Sequence, residues 1–309
     1  MKIQESGAKT RTDYAQIIHD AMLRSSSRRK LVNKAVSIGA IASVIFSVIM
    51  LGSILIEVLV NGAKALSVNF LIETPGAFGS GMGGIGPAIQ GTLIVVGLAS
   101  AIGAPVGVLA GIYLSEFAGN GIFPYCVRFF NDVLVGLPSI VIGIVAYVTL
   151  VTTLGSFSVW AGAFALSIIM IPIVTRVTEE TLKIVPNSMR EAGHSLGIPK
   201  RKVVTHIVLK SAKSGIITGI VLAISRIAGE TAPLIMTILG TDLYFSSVSG
   251  PVDALPLRIW RLASQPYQYA HDFGWGAALV LILIVIGLSL SLRLVAHKRG
   301  FKIRTIASG

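Results

Sequence analysis

Six long apolar segments constrain the fold of this chain more than any other feature of its sequence. They lie at residues 35–60, 88–116, 129–153, 157–176, 214–240 and 277–297. Such segments match the roughly 20 residues that an α-helix needs to cross a bilayer. Because 53% of the 309 residues are hydrophobic and only 13% are charged, the composition favours a membrane protein over the two soluble domains that this length would otherwise suggest. The sequence therefore predicts an all-α polytopic membrane protein with six transmembrane helices.

Positively charged residues predict the orientation of these helices. Of the 26 Lys and Arg residues, 22 fall in the terminal segments, the loop after the second helix and the loop after the fourth, whereas three fall on the opposite side and one in the membrane. Cytoplasmic segments are enriched in Lys and Arg, so both termini and the loop after the fourth helix are predicted to be cytoplasmic. The resulting organisation is a tail (1–34), a transmembrane domain (35–297) with a cytoplasmic loop (about 177–213), and a second tail (298–309). This bias explains the net charge of +12, so no nucleic-acid partner is predicted.

Residues that could carry catalysis or hold a metal are few. The single cysteine, Cys126, allows no intramolecular disulfide, and the five histidines lack the spacing of zinc ligands. Gly81, Gly83 and Gly86 match the G-x-G-x-x-G pattern, but a membrane helix follows them, and a dinucleotide site also needs a preceding strand. We expect no catalytic residue, no metal and no cofactor. The P-loop motif G-x-x-x-x-G-K-[ST] is absent, so the chain is not expected to hydrolyse ATP by itself.

Arg226 and Glu230 lie inside the fifth apolar segment, where a charged side chain costs about 2.5–3.5 kcal/mol. Their spacing of four residues places both side chains on one face of a helix. Two interpretations remain open. In the first, the two charges neutralise each other and only fasten the helix to its neighbours. In the second, Arg226 lowers the barrier for an anion in a pathway, Glu230 tempers its affinity, and Thr231 adds a hydroxyl contact.

The loop between the fourth and fifth segments is longer than a simple connector needs to be. Gly197 and the Ile198-Pro199 pair mark a break within helical sequence, which predicts two short helices that meet at a turn near Gly197. Such a pair is suited to docking a partner on the cytoplasmic face. A solvated basic loop that only sets the topology remains the alternative.

Small residues and prolines predict how some of the helices pack and bend. Gly103, Gly107 and Gly111 recur every four residues in the second segment and predict a face that another helix can approach closely. Prolines fall inside the second, third and fourth segments, where each removes a backbone hydrogen bond and favours a kink. These prolines are Pro105, Pro138 and Pro172.

Several of these strings resemble a known family. The stretch EAGHSLGIPKRKVVTHIVLK at 191–210 resembles the EAA loop of bacterial ABC importer permeases. The matching residues are Glu191, Ala192, Gly197, Ile207 and Leu209, while Gly193 stands where alanine is usual and Lys210 where proline often follows. The strings GGIGPAIQGT at 83–92, GLPSIVIG at 136–143 and, above all, ISRIAGETAPL at 224–234 are similar to PstA-type permeases of the phosphate-specific ABC importer.

The resemblance implies the type I ABC importer permease fold, with a coupling helix in the cytoplasmic loop, in the lipid of a bacterial inner membrane. It implies a PstC-type permease as the paired subunit and two copies of a PstB-type ATPase, which bind ATP and grip the residues of the loop, Gly193 included. It also implies that an extracytoplasmic binding protein delivers inorganic phosphate. A secondary transporter or channel, and a membrane-embedded enzyme, remain alternatives. The first would be expected to carry inverted repeats or further carboxylates inside the membrane, and the second would need paired catalytic residues.

Overall fold

The computed structural model describes residues 3–76, 83–119 and 121–298, with side chains described for residues 29, 30 and 32–294 within these ranges. The chain is helical in these ranges and contains no named strand, with isolated bridges at Pro75–Gly83 and Leu239–Val252. The helices are α1 (Ile3–Ala65), α2 (Val68–Ile72), α3 (Gly86–Phe117), α4 (Ile122–Gly136), α5 (Ser139–Leu154), α6 (Val159–Ile184), α7 (Asn187–Ser195), α8 (Lys200–Ala228), α9 (Ala232–Thr237), α10 (Leu255–Ala263) and α11 (Gln268–Lys298). The predicted all-α class is confirmed.

The described helices also agree with the predicted number of membrane segments. Five of them, α1, α3, α6, α8 and α11, contain stretches long and apolar enough to cross a membrane, and the bent pair α4 and α5 brings the number of apolar segments to six.

Contacts divide the chain into two units, Met1–Glu57 and Val58–Gly309. The first unit holds most of α1, which runs without a break through the predicted boundary at residue 34. The boundary is therefore a change of composition within one helix.

The second unit is built around the pairing of α3 with α6. The predicted glycine face is confirmed, because Gly103, Gly107 and Gly111 lie against α6. A Cβ atom at Gly107 would lie 2.7 Å from the Cβ atom of Val174, and one at Gly111 would lie 2.6 Å from that of Thr178. The largest buried apolar cluster surrounds this contact and includes residues of α5, α8 and α9. Close approach of backbones is the usual way in which membrane helices gain packing energy.

The third predicted segment, 129–153, is not a single straight helix. The structure places α4 and α5 on either side of Leu137 and Pro138, with their axes bent by 105°. Proline lacks a backbone N–H and disfavours helical geometry in the residue before it, and Leu137 is extended (φ −72°, ψ 137°). Neither Pro105 nor Pro172 interrupts its helix. The chain is therefore broken at one of the three positions where a kink was predicted.

The fifth predicted segment, 214–240, also needs correction. Helix α8 begins at Lys200, inside the predicted cytoplasmic loop, and ends at Ala228, after which the chain restarts as α9. A continuous helix would bring the ring of Pro233 against the carbonyl group of Gly229, four residues earlier. Glycine is also a poor helix former. The break at Gly229 follows from these two residues.

Candidate functional site

The predicted pair, Arg226 and Glu230, lies at the break between α8 and α9. Arg226 belongs to the last turn of α8, and Glu230 lies in the short connection to α9. Helix α9 packs closely on α5, because a Cβ atom at Gly143 would lie 2.7 Å from the Cα atom of Pro233. The two broken helices, α4–α5 and α8–α9, thus meet beside the charged pair.

The ion pair that the spacing made feasible is present. The Nη1 atom of Arg226 lies 2.5 Å from the Oε1 atom of Glu230, and that oxygen is buried without a well-aligned hydrogen bond from any described residue. The two side chains differ in exposure: 60% of the Arg226 side chain is accessible, against 7% of the Glu230 side chain. The carboxylate therefore faces the interior of this unit, while the guanidinium points away from it.

The depth of Arg226 can be judged from the last basic residue before it on the same helix. Lys213 is 13 residues earlier in the sequence, which corresponds to about 20 Å along an α-helix. The hydrocarbon core of a bilayer is about 30 Å thick. An exposed guanidinium thus lies well inside the apolar part of α8.

The third predicted pathway residue, Thr231, has a different role in the local geometry. It precedes α9, and its carbonyl oxygen accepts hydrogen bonds from the backbone N–H groups of Leu234 and Ile235, both at 3.1 Å. Its hydroxyl group does not cap the helix. The side chain is partly buried next to Glu230, so the hydroxyl group is available for another contact.

The loop between the fourth and fifth predicted segments folds as two helices around a turn at Gly197, as predicted. Gly197 adopts φ +71°, a conformation that favours glycine. Its N–H group donates to the carbonyl oxygen of His194 at 2.9 Å, and that of Ile198 donates to the carbonyl oxygen of Gly193 at 3.2 Å, which closes α7 in the manner of a glycine C-cap. The second helix is longer than predicted, since it is the beginning of α8.

The structure separates the predicted coupling residues into two groups. Glu191, Ala192 and Gly197 are exposed, whereas Gly193 is buried and Ile207 and Leu209 are partly buried. A Cβ atom at Gly193 would lie 2.9 Å from the Cγ2 atom of Val203, so glycine at this position lets α7 approach α8 closely. The first group is accessible to a partner, whereas Gly193 and Ile207 lie in the contact of α7 with α8 and Leu209 packs in the apolar cluster at the beginning of α8.

Sequence reasoning missed a salt bridge that fastens α7 to α3. The Nη2 atom of Arg190 lies 2.6 Å from Oε1 of Glu116, and its Nε atom lies 3.1 Å from Oε2. The Glu116 side chain is 4% exposed and that of Arg190 is 19% exposed. Hydrogen bonding to Glu116 raises the pKa of the Arg190 guanidinium above its ordinary value, against the effect of burial. No spacing rule connects two residues that are 74 positions apart.

A second buried salt bridge joins Asp253, in the loop between α9 and α10, to Arg258, in the first turn of α10. The Nε atom of Arg258 lies 2.6 Å from Oδ2 of Asp253, and its Nη2 atom lies 2.7 Å from Oδ1 of Asp242. Asp253 is fully buried. Burial raises the pKa of the Asp253 carboxyl group above its ordinary value, although Arg258 opposes this shift. No pattern in the sequence indicated this pair.

The amino-acid sequence is similar to those of known membrane components of transport systems. The family model described as "Binding-protein-dependent transport system inner membrane component" matches residues 103–301. The phosphate transport system permease protein PstA of Pasteurella multocida is 41% identical over 251 residues, which cover 81% of this chain and 89% of that protein. The PstA protein of Yersinia pestis is 37% identical over 266 residues, which cover 84% and 90%.

Solved structures share the fold at low sequence identity. A chain of a bacterial ABC transporter for import of the acidic polysaccharide alginate superposes with a TM-score of 0.60 and 14% identity, covering 84% of this chain and 93% of that one. A chain of the inward-facing MetNI methionine ABC transporter superposes with a TM-score of 0.56 and 14% identity, covering 68% and 95%. The predicted type I ABC importer permease fold is confirmed by these likenesses.

Proposed function

This chain belongs to the PstA family of phosphate transport system permeases, and we propose that it forms one half of the pathway through which an ATP-driven importer moves inorganic phosphate. It is a multi-pass inner-membrane permease subunit of such an importer and is not itself an enzyme. The paired half of the pathway is a PstC-type permease. Two copies of a PstB-type ATPase bind ATP, and an extracytoplasmic binding protein supplies the phosphate.

The observation that carries the pathway proposal is the exposure of Arg226. A guanidinium exposed inside the apolar part of a span is costly against lipid, so such residues face a bundle interior or a water-filled cavity. The paired permease subunit would complete this cavity. A fixed positive charge there lowers the electrostatic barrier for an anion, and guanidinium groups form strong charge-assisted hydrogen bonds with phosphate oxygens.

Glu230 gives the site a basis for choosing between anions. Phosphate near neutral pH carries a proton that it can donate, whereas sulfate carries none. An ionised carboxylate accepts such a hydrogen bond and repels an anion that cannot offer one. The same negative charge tempers the attraction of Arg226, so that phosphate is not trapped. The hydroxyl group of Thr231 supplies a further contact.

The exposed residues of the loop, Glu191, Ala192 and Gly197, contact the ATPase, while Gly193, Ile207 and Leu209 keep α7 in place. In this arrangement ATP binding closes the ATPase subunits, and α7 moves with them. The loop is on the cytoplasmic side together with both termini, so that residues 1–34 and 298–309 form cytoplasmic tails. The positive charge of these segments supports this orientation.

Substitution of Arg226 tests the pathway proposal. Cells whose only copy of the chain carries Arg226→Gln are assayed for uptake of labelled phosphate and for co-purification of the ATPase subunit. We expect uptake to fall by about 10-fold or more, the factor that corresponds to one charged hydrogen bond, while the complex remains assembled. Normal uptake would contradict the proposal and leave the pair with a purely structural role.

Arg176→Gln is the matched control. The Arg176 side chain is 62% exposed and pairs with Glu180, so it shares the exposure and the four-residue spacing of the Arg226 pair. It lies at the end of the predicted apolar segment 157–176, whereas Arg226 lies in the middle of the predicted segment 214–240. We expect it to leave uptake unchanged, since exposed pairs contribute little to stability.

A further inference from the structure

The last turn of α3, Tyr113–Phe117, is a π-helical turn. Its wider hydrogen bonding is seen where the N–H group of Ala118 donates to the carbonyl oxygen of Tyr113, five residues earlier, at 2.8 Å. Turns of this kind also occur in α5 (Tyr147–Val151) and α8 (Val204–Val208), and they are frequently found at functional sites. Basic side chains from three other helices converge on this one, and we call the turn together with Arg128, Arg190 and Lys200 the junction.

Arg190 of α7 makes the strongest connection in the junction. Besides its two bonds to Glu116, it donates to the carbonyl oxygens of Val185 at 2.6 Å and Leu182 at 2.9 Å. These carbonyl groups belong to the end of α6, where the last backbone acceptors are left without i+4 donors, although that of Leu182 also accepts the N–H group of Val185 at 3.2 Å. One guanidinium therefore joins α7 to the ends of both α3 and α6. Its neighbour in sequence, Glu191, is exposed.

Lys200 and Arg128 connect the same turn to α8 and α4. The Nζ atom of Lys200 lies 5.3 Å from the centre of the Phe117 ring, within the range of a cation–π contact. The Nη2 atom of Arg128 donates to the carbonyl oxygen of Leu114 at 3.0 Å, and its Nε atom donates to Glu179 of α6 at 2.9 Å. Helix α4 then leads through Pro138 to α5, against which Pro233 of α9 packs. A continuous chain of contacts thus runs from α7 to the neighbourhood of Glu230.

We propose that the junction transmits the movement of α7 to α4 and α5, with Glu116 and Arg190 as its positioning residues. This inference rests on the proposed function, in which the ATPase moves α7. Because Glu116 is buried and accepts both bonds from Arg190, a displacement of α7 cannot occur without moving the end of α3 or breaking a buried salt bridge, and the latter is strongly unfavourable. A flexible loop between α6 and α8 would instead absorb the movement.

The test measures phosphate uptake and ATP hydrolysis together. A complex of this chain with its paired permease and its ATPase is reconstituted in proteoliposomes and supplied with the binding protein, ATP and inorganic phosphate. Two variants are compared with the unsubstituted complex. Arg190→Lys keeps the charge but loses the planar fork, and the double variant Glu116→Gln with Arg190→Gln leaves no buried charge unpaired.

We expect both variants to retain the ATPase subunit and to hydrolyse ATP, while phosphate transported per ATP falls by about 2- to 30-fold, the range typical of mutations along a coupling route. Arg176→Gln, which removes exposed ion pairs with Asp132 of α4 and Glu180 of α6 but none of the junction's own bonds, is expected to keep the unsubstituted ratio. A ratio unchanged in both variants would overturn the inference. Loss of the ATPase subunit from both variants would overturn it too, because the pair would then only hold α7 in its docking position. If the unsubstituted complex fails to import phosphate, the proposed function itself fails.

Discussion

At the scale of single residues, Glu230 and Asp253, two of the buried carboxylates, differ in how their charges are balanced. Glu230 is paired with an arginine that is itself exposed, whereas Asp253 is paired with Arg258, which is itself buried. An exposed partner can be shared with a passing anion, and a buried one cannot. The first pair thus fits a pathway, and the second fits the fastening of a loop.

Glu230→Gln tests the proposed choice between anions. A neutral amide would no longer repel sulfate, and it would lose the charge-assisted bond from protonated phosphate, which is worth about 10- to 100-fold in discrimination. We expect the ratio of sulfate to phosphate uptake in proteoliposomes to rise by up to this factor. Glu180→Gln, which alters an exposed carboxylate in the same kind of pair, serves as the control. Unchanged uptake and unchanged discrimination would rule the role out.

The raised pKa of the Asp253 carboxyl group predicts that the stability of the chain depends on pH. Its folded-state pKa is raised, so its contribution to the free energy of unfolding is fully present below the unfolded pKa of about 4 and is lost as the pH rises through the folded pKa. We expect the difference in Tm between the native chain and Asp253→Asn to shift in favour of the variant as the pH rises above 4. Thermal unfolding in detergent measures this. Asp272→Asn, at an exposed position, should show no such trend, and a pH-independent difference for Asp253→Asn would contradict the argument.

At the scale of helices, the contact between α3 and α6 depends on the absence of side chains. A Cβ atom at Gly107 would lie 2.9 Å from the carbonyl oxygen of Ile171, and backbone atoms cannot move aside cheaply, whereas a Cβ atom at Gly97 on the same helix would meet nothing within 4 Å. Gly107→Ala is therefore expected to lower the free energy of unfolding by about 1–3 kcal/mol. Gly97→Ala is expected to be neutral or slightly stabilising. Denaturation of the two purified variants measures the difference, and equal stability would contradict this packing.

Helices were predictable from sequence to the extent that their signals are local. Apolar blocks identified the six membrane segments, and the spacing of Gly103, Gly107 and Gly111 identified a packing face, because both patterns lie within one helix. The break at Pro138 was foreseen as a kink and the break at Gly229 was not foreseen, since a proline inside a membrane helix can be tolerated or can end it. Pro105 and Pro138 look alike in sequence, and the surrounding contacts decide between these outcomes.

Contacts between distant parts of the chain were beyond such reasoning. The ion pair of Arg226 and Glu230 could be predicted because its partners are one helical turn apart. Glu116 and Arg190 are not connected by any periodicity, and the one local signal is that Glu116 is the single charged residue of the predicted segment 88–116. Asp253 was hidden for the same reason, because its burial depends on how the loop before α10 folds back on α3, where the hydroxyl oxygen of Thr92 accepts the N–H group of Leu255 at 2.8 Å.

At the scale of the whole molecule, the distribution of charge predicts how the chain is inserted. After replacement of Cys126 by serine, a cysteine at position 247 or 308 gives a single reporter for each predicted side, since the chain has no other cysteine. In right-side-out membrane vesicles, an impermeant maleimide should label Ser247→Cys directly and Ser308→Cys only after permeabilisation. The 22 Lys and Arg residues of the segments predicted to be cytoplasmic provide the physical reason. The reverse pattern of labelling would overturn the orientation and the cytoplasmic position of the α7 loop.

The glycine contact of α3 with α6 has a consequence for the transport cycle. Gly103, Gly107 and Gly111 each receive one residue of α6, namely Met170, Val174 or Thr178, at matching intervals of four. Sliding by less than one helical turn would drive these side chains into bulkier neighbours, so the two helices have no smooth path past each other. They are therefore expected to travel as one rigid body, and alternating access must arise from hinges elsewhere, at the broken helices beside Pro138 and Gly229.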